Sequence, residues 1–91
     1  MNVVFYDSDV KKAIKKGSLP REVAKLFKTT FDVLDSTGDL NLFDIKQLTS
    51  NSEKTFYRLR KGKYRAIFIL EDDDIYVLAI SKRDEVYKKW P

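Results

Sequence analysis

Two nearly continuous apolar runs, Ala66–Leu70 and Ile75–Ile80, flank four consecutive acids, Glu71–Asp74. Runs this short, bounded by turn-forming residues, read as strands buried on both faces, and the acids between them as a tight turn. A strand buried on both faces needs cover on each side, so the rest of the chain must be spent on wrapping this hairpin. With 91 residues there is room for one core, and residues 1–91 are read as a single domain. Neither run approaches the ~20 residues that cross a bilayer. The N-terminus has no basic segment leading into the apolar stretch of ~7–15 residues that marks a secretion signal. The expectation is a cytoplasmic protein that does not engage membranes.

The covering elements can be placed from local chemistry. Asn2–Tyr6 is β-branched and aromatic and reads as a short strand. Asp7 or Ser8 can cap a helix with Val10, Ala13 and Ile14 at helical spacing, and Gly17 stops it. Ser18 with Pro20 marks the start of a second helix, whose apolar stripe is Val23, Leu26, Phe27, Phe31 and Leu34. Asp35–Asp39 ends that helix; the repeated acids and distal Glu of a calcium loop are missing. Leu40–Ser52 reads as a connection, with Ile45 and Leu48 tucked against the core. Lys54–Arg60 alternates, with Tyr57 and Leu59 on one face and Phe56, Arg58 and Arg60 on the other. Gly62 supplies the positive φ of a tight turn into the first apolar run. Ser81 or Asp84 can cap a last helical turn through Tyr87. The predicted class is α+β, in the order β-α-α-β-β-β: a helical hairpin on a small, mostly antiparallel sheet, then a short C-terminal helix.

Composition narrows the chemistry. The chain has no cysteine and no histidine, which removes disulfides, thiolate nucleophiles, imidazole acid–base pairs and the usual sulfur- or nitrogen-ligated metal sites. What it has is cations. The net charge is +4, and six basic residues fall between Lys54 and Arg65 with no acid among them: Lys54, Arg58, Arg60, Lys61, Lys63 and Arg65. Lys82, Arg83, Lys88 and Lys89 add a second basic stretch, and Phe56, Tyr57, Tyr64, Tyr87 and Trp90 lie among these charges. Cations that meet phosphates, interleaved with rings that stack on bases, suit a polyanion with exposed bases. The bland reading of the same pattern is a solvated strand face.

The stretch Phe56-Tyr-Arg-Leu-Arg-Lys-Gly-Lys-Tyr-Arg-Ala-Ile-Phe68 resembles the "yRlRvGdYRviy" core of the RelE/ParE toxin superfamily. Ser81-Lys-Arg-Asp-Glu-Val-Tyr87 is similar to the closing "hR..vY" signature of that superfamily, and Asp44-Ile-Lys-Gln-Leu48 to the "ikkL" before its second strand. The likeness runs through the whole chain in length and element order. It implies the microbial-RNase-like fold of RelE and a toxin neutralised by a small acidic antitoxin wrapped around it. RelE-like members cut mRNA in the ribosomal A site without a metal or cofactor; ParE-like members share the fold and inhibit DNA gyrase by binding it.

The resemblance also assigns roles. Arg65 matches the arginine that contacts the scissile phosphate, and Arg83 the one that stabilises or protonates the leaving group. Tyr87 matches a tyrosine that stacks on the message or helps activate the 2′-hydroxyl, and Arg58 a catalytic basic position. Lys54, Phe56, Arg60, Lys61, Lys63 and Lys82 are the remaining candidates for contact with RNA. Where RelE-type enzymes carry a lysine, this chain has Phe56. Arginine does not serve as a base, because its pKa exceeds ~12. The base is then Tyr87, with its pKa lowered by guanidiniums, or Lys54 reaching from the strand end. In place of the RelE-type lysine, Phe56 is expected to stack on a base.

Overall fold

The computed structural model describes residues 3–48 and 54–82. In chain order the elements are β1 (Val4–Tyr6), α1 (Ser8–Lys16), α2 (Arg21–Thr37), a single 3₁₀ turn (Leu40–Leu42), β2 (Ile45–Gln47), β3 (Phe56–Lys61), β4 (Tyr64–Glu71) and β5 (Asp74–Lys82). The strands form one sheet in the order β1-β5-β4-β3-β2. β1 runs parallel to β5, and every other pairing is antiparallel. The two helices lie on one face, so the α+β architecture agrees with the sequence reading.

Local chemistry accounts for each boundary. The Asp7 carboxylate accepts a hydrogen bond from the backbone N–H of Asp9 at 3.0 Å and caps α1. The backbone N–H of Asp7 donates to the Val77 carbonyl at 2.9 Å, which ties the start of the helix to β5. α2 begins from Pro20, whose fixed φ suits a helix entry, without a side-chain cap. Ser18, expected to help start α2, turns back instead: its hydroxyl donates to the Ala13 carbonyl of α1. Gly62, at φ 59°, takes the first central position of the two-residue loop between Lys61 and Tyr64. The second hairpin closes through Asp72 and Asp73, both at positive φ, a conformation that aspartate tolerates better than most residues.

The core lies between the helices and the sheet. Val10 and Leu19 meet Phe27, Phe31 and Leu34 of α2, and Leu59, Ala66, Phe68, Ile75, Val77 and Ile80 of the sheet. Phe31 is the hub, edge-on to Phe68 at 5.3 Å and to Tyr6 at 6.3 Å. Tyr57 stacks on the far side of Phe68 at 5.3 Å. Such ring pairs contribute ~0.5–1.5 kcal/mol beyond the area that they bury. β4 is buried on both faces from Ala66 to Ile69, as its apolar run implies.

Four expectations need correction. Leu40–Ser52 is not only a connection: Ile45–Gln47 pairs with β3 as an added edge strand, making the order β-α-α-β-β-β-β. Leu26 does not belong to the buried stripe of α2; it is 47 % exposed, and Thr30 takes the inner position. Ser81 caps no helix, because β5 continues through it to Lys82. β5 is also not a uniform run: Leu78 is the extra residue of a bulge between the Ala79–Ile67 and Val77–Phe68 pairs. The expected C-terminal helical turn, with Asp84 as the other candidate cap, lies outside the described residues.

The Tyr6 hydroxyl is buried and has no hydrogen-bond partner among the described residues. Burial, with a smaller contribution from the Asp32 carboxylate, pushes its pKa up to about 12. Folded Tyr6 thus holds a proton that the unfolded chain releases near 10.0. Its contribution to stability is complete below pH 10.0 and is lost as the pH climbs to about 12. In a titration followed by phenolate absorption, the step that Tyr6→Phe removes should lie near pH 12 rather than near 10.0, and the substitution should flatten the stability loss in that window. A Tyr6 step near 10.0 would contradict this.

Candidate nucleic-acid interface

Strand alternation decides where the cations go. Leu59, Ala66 and Phe68 face the helices, so Arg58 and Arg60 of β3 and Arg65 of β4 fall on the opposite face, which is helix-free among the described residues. Register then brings them together. Arg60 stands directly opposite Arg65, and Arg58 is one step along, opposite Ile67. Lys46 of β2 pairs with Arg58 from the other side, and Ser81 of β5 lies opposite Arg65. Directly opposed residues have Cβ atoms only ~4.5–5.5 Å apart, and like charges there repel.

Asp44 relieves the repulsion. One carboxylate oxygen accepts a hydrogen bond from Nη2 of Arg58, and the other makes an ion pair with Nε of Arg60, both at 2.8 Å. The Asp44 carbonyl also accepts the backbone N–H of Arg60 at 3.0 Å, so the acid is held at the mouth of β2. The Arg58 side chain is only 16 % exposed, and its Nε is buried without a hydrogen-bond partner among the described residues. A guanidinium that far out of water needs its counter-charge. Among the described residues Arg65 forms no ion pair, which leaves it the guanidinium most ready for an outside anion.

The other candidates take separate places. Lys61 lies over the Phe43 ring at 4.8 Å and Lys82 over the Tyr64 ring at 5.8 Å, at the end of the sheet nearest the Gly62 turn. Lys63 sits in that turn, exposed. Phe56 shares the helix-free face with the arginines, two residues before Arg58 and opposite Ile69. Lys54 is not brought to the cluster. It precedes Arg60 by six residues, roughly 20 Å of extended chain, and its Nζ is 3.6 Å from Glu71. Arg83 and Tyr87 lie outside the described residues. The sequence reading missed Asp44 and Lys46. Only the alternation in Phe43–Leu48 hinted at a strand there, and no turn signal bounded it.

No protein-family model matches the chain, and no curated protein sequence does. Solved structures do match, two of them along nearly their whole length. A chain of the archaeal RelE–RelB complex from Pyrococcus horikoshii OT3 superposes with a TM-score of 0.73 at 28 % identity, covering 92 % of this chain and 97 % of that one. The RelB–RelE antitoxin–toxin complex from Methanococcus jannaschii gives a TM-score of 0.72 at 24 % identity, covering 96 % and 99 %. The chain has the RelE-like toxin fold. Within that fold, this chain gathers three arginines on the sheet face opposite α1 and α2 and clamps a carboxylate between two of them. No helix among the described residues is long and apolar enough to cross a membrane.

Neutralising Asp44 while keeping its shape should expose what it does. Asp44→Asn is expected to cost about 1–3 kcal/mol of stability: little from the half-exposed Arg60 pair, more from Arg58, whose largely buried guanidinium loses its counter-charge. It should tighten binding of a single-stranded oligonucleotide and steepen the salt dependence, by up to about 1.4 in log–log slope if two more cations meet phosphates. Fluorescence anisotropy across a salt series measures both. Weaker binding with an unchanged slope would contradict this role for Asp44.

Proposed function

We propose that this chain is the toxin of a toxin–antitoxin pair and acts in the cytoplasm as a metal-independent endoribonuclease on mRNA in the ribosomal A site. The RelE-like fold supports the toxin role, and the neighbours being RelE–RelB complexes supports a cognate antitoxin partner, which the cationic face suggests is acidic. The observation that carries the nuclease reading is the Arg60–Arg65 pair with Arg58 beside it on the helix-free face.

The chemistry needs such a cluster. The ribose 2′-oxygen attacks the adjacent phosphorus; the new P–O2′ bond forms as the P–O5′ bond breaks, leaving a cyclic phosphate and a 5′-hydroxyl. Negative charge builds on the non-bridging oxygens and on the departing O5′. Fixed guanidiniums stabilise that charge without having to reorganise. In this reading Arg65 meets the scissile phosphate, Arg58 supports it, and Arg83 attends the leaving oxygen. A base must take the proton of the 2′-hydroxyl, and an acid must return one to O5′. With Lys54 at the far end of the β3–β4 ladder, Tyr87 is the proposed base. Phe56, Arg60, Lys61, Lys63 and Lys82 hold the flanking nucleotides.

The test is cleavage of a defined message in a translating extract, mapped by primer extension. Wild type should cut at codon positions. Arg65→Ala and Arg83→Ala should lower the rate about 10²–10³-fold, the usual cost of losing one preorganised donor, while circular dichroism shows an unchanged fold. Intact messages with blocked supercoiling by DNA gyrase would overturn the reading in favour of a gyrase inhibitor.

A further inference from the structure

The helix-free face carries a second feature that the cleavage chemistry does not use. Phe5 of β1 stacks on Tyr76 of β5, with ring centroids 4.8 Å apart and planes only 10° from parallel. The two are register partners, and Tyr76 is in turn opposite Ile69, which is opposite Phe56. One row across four strands is thus aromatic or apolar, and its β1 end is open: Phe5 is 43 % exposed and Val3, on the same face, 47 %. The flanking Val4 and Tyr6 of β1 are spent on the core. A three-residue edge strand needs no exposed ring to stay in place, since the Asp74 carboxylate and the Val3 carbonyl already tie its start to β5.

The position of this pair relative to the charges is informative. The Phe56–Ile69–Tyr76 row lies four residues along the strands from the Arg60–Arg65 row, or about 13 Å. A strand stacked at ~3.4 Å per nucleotide covers that distance in about four nucleotides, and an extended one in fewer. Beyond the row come Glu71, Asp72 and Asp73, which repel phosphates. An RNA held at the arginines and running towards the aromatic row therefore meets cations first, then rings, then acids. Rings suit bases of any identity, because every base has a π face.

We propose that Phe5 and Tyr76 form a stacking platform for a base of single-stranded RNA, a few nucleotides from the phosphate held at Arg65, and that they set the far limit of the footprint. This rests on the RNA-binding reading above. The platform supplies affinity that does not depend on salt, while the arginines supply the part that does.

The test uses the full chain and a single-stranded RNA oligonucleotide carrying 2′-O-methyl riboses, which binds without being cut. Phe5→Leu and Tyr76→Leu keep an apolar side chain on each strand but remove the ring. Each is expected to weaken binding about 5–100-fold, the range for losing one base–aromatic stack, with an unchanged slope of log affinity against log salt. An abasic oligonucleotide should bind wild type and Phe5→Leu equally. Wild-type affinity in both folded variants would overturn the platform and leave Arg65-dependent cleavage untouched, with the pair serving only to hold β1 on β5. If wild type neither binds nor cuts RNA, the nuclease reading fails and the platform with it. If the variants lose an acidic protein partner and keep RNA, the surface belongs to that partner and the proposal is overturned.

Discussion

Phe68 meets Phe31 edge to face at 5.3 Å, with both rings fully buried, and this contact fixes which face of the sheet the helices cover. Everything else on β4 follows from the two-residue period of a strand. With Phe68 and Ala66 turned to the helices, Ile67 and Arg65 must take the other face. The antiparallel register to β3 then sets Arg65 against Arg60. A slip of one residue in that register would turn the arginines towards the core, where unpaired charges are prohibitively costly. The core and the cationic face are thus two consequences of one packing choice, and neither can be altered independently.

Gathering like charges works against the fold, and the chain offsets this locally. Asp44 reaches two guanidiniums from the residue just before the three-residue strand β2, and its carbonyl bonds the same edge of β3. The geometry is that of a carboxylate standing where a phosphate oxygen could bind. Arg58 and Arg60 are therefore held in place before any ligand arrives, and Arg65 is left available. Preorganisation of this kind lowers the entropic cost of gathering charge around an anion. The acids of the β4–β5 turn have the opposite effect and give the face a direction, from cationic at the Gly62 hairpin to acidic at Asp72 and Asp73.

Much of this was legible in the sequence where local chemistry decides structure. The apolar runs around Glu71–Asp74, the turn at Gly62, the cap at Asp7 and the stop at Gly17 all carry their own signals, and the alternation from Phe56 to Arg60 foretold the shared face of the arginines. What failed to show was set by tertiary pairing. β2 is a strand because Ile45 finds Leu59 and Lys46 finds Arg58, not because Ile-Lys-Gln favours extended structure. Asp44 looked like a loop residue for the same reason, and its role appears only once Arg58 and Arg60 are beside it. Ser18 had a choice between capping α2 and closing α1, and packing against Ala13 settled it. Phe5 read as one more apolar residue of a short strand; its partner Tyr76 lies 71 residues away in sequence, although a register partner in space.

The central claim is that the helix-free face, with Arg58, Arg60 and Arg65 at its centre, is the surface that receives RNA. The most direct measurement is backbone amide NMR of the full chain titrated with an uncleavable single-stranded RNA. The account predicts shifts concentrated in β3 and β4 from Arg58 to Arg65, extending through β5 towards Phe5, with α1 and α2 quiet. Shifts concentrated on the exposed faces of α1 and α2, with β3 and β4 unmoved, would contradict it.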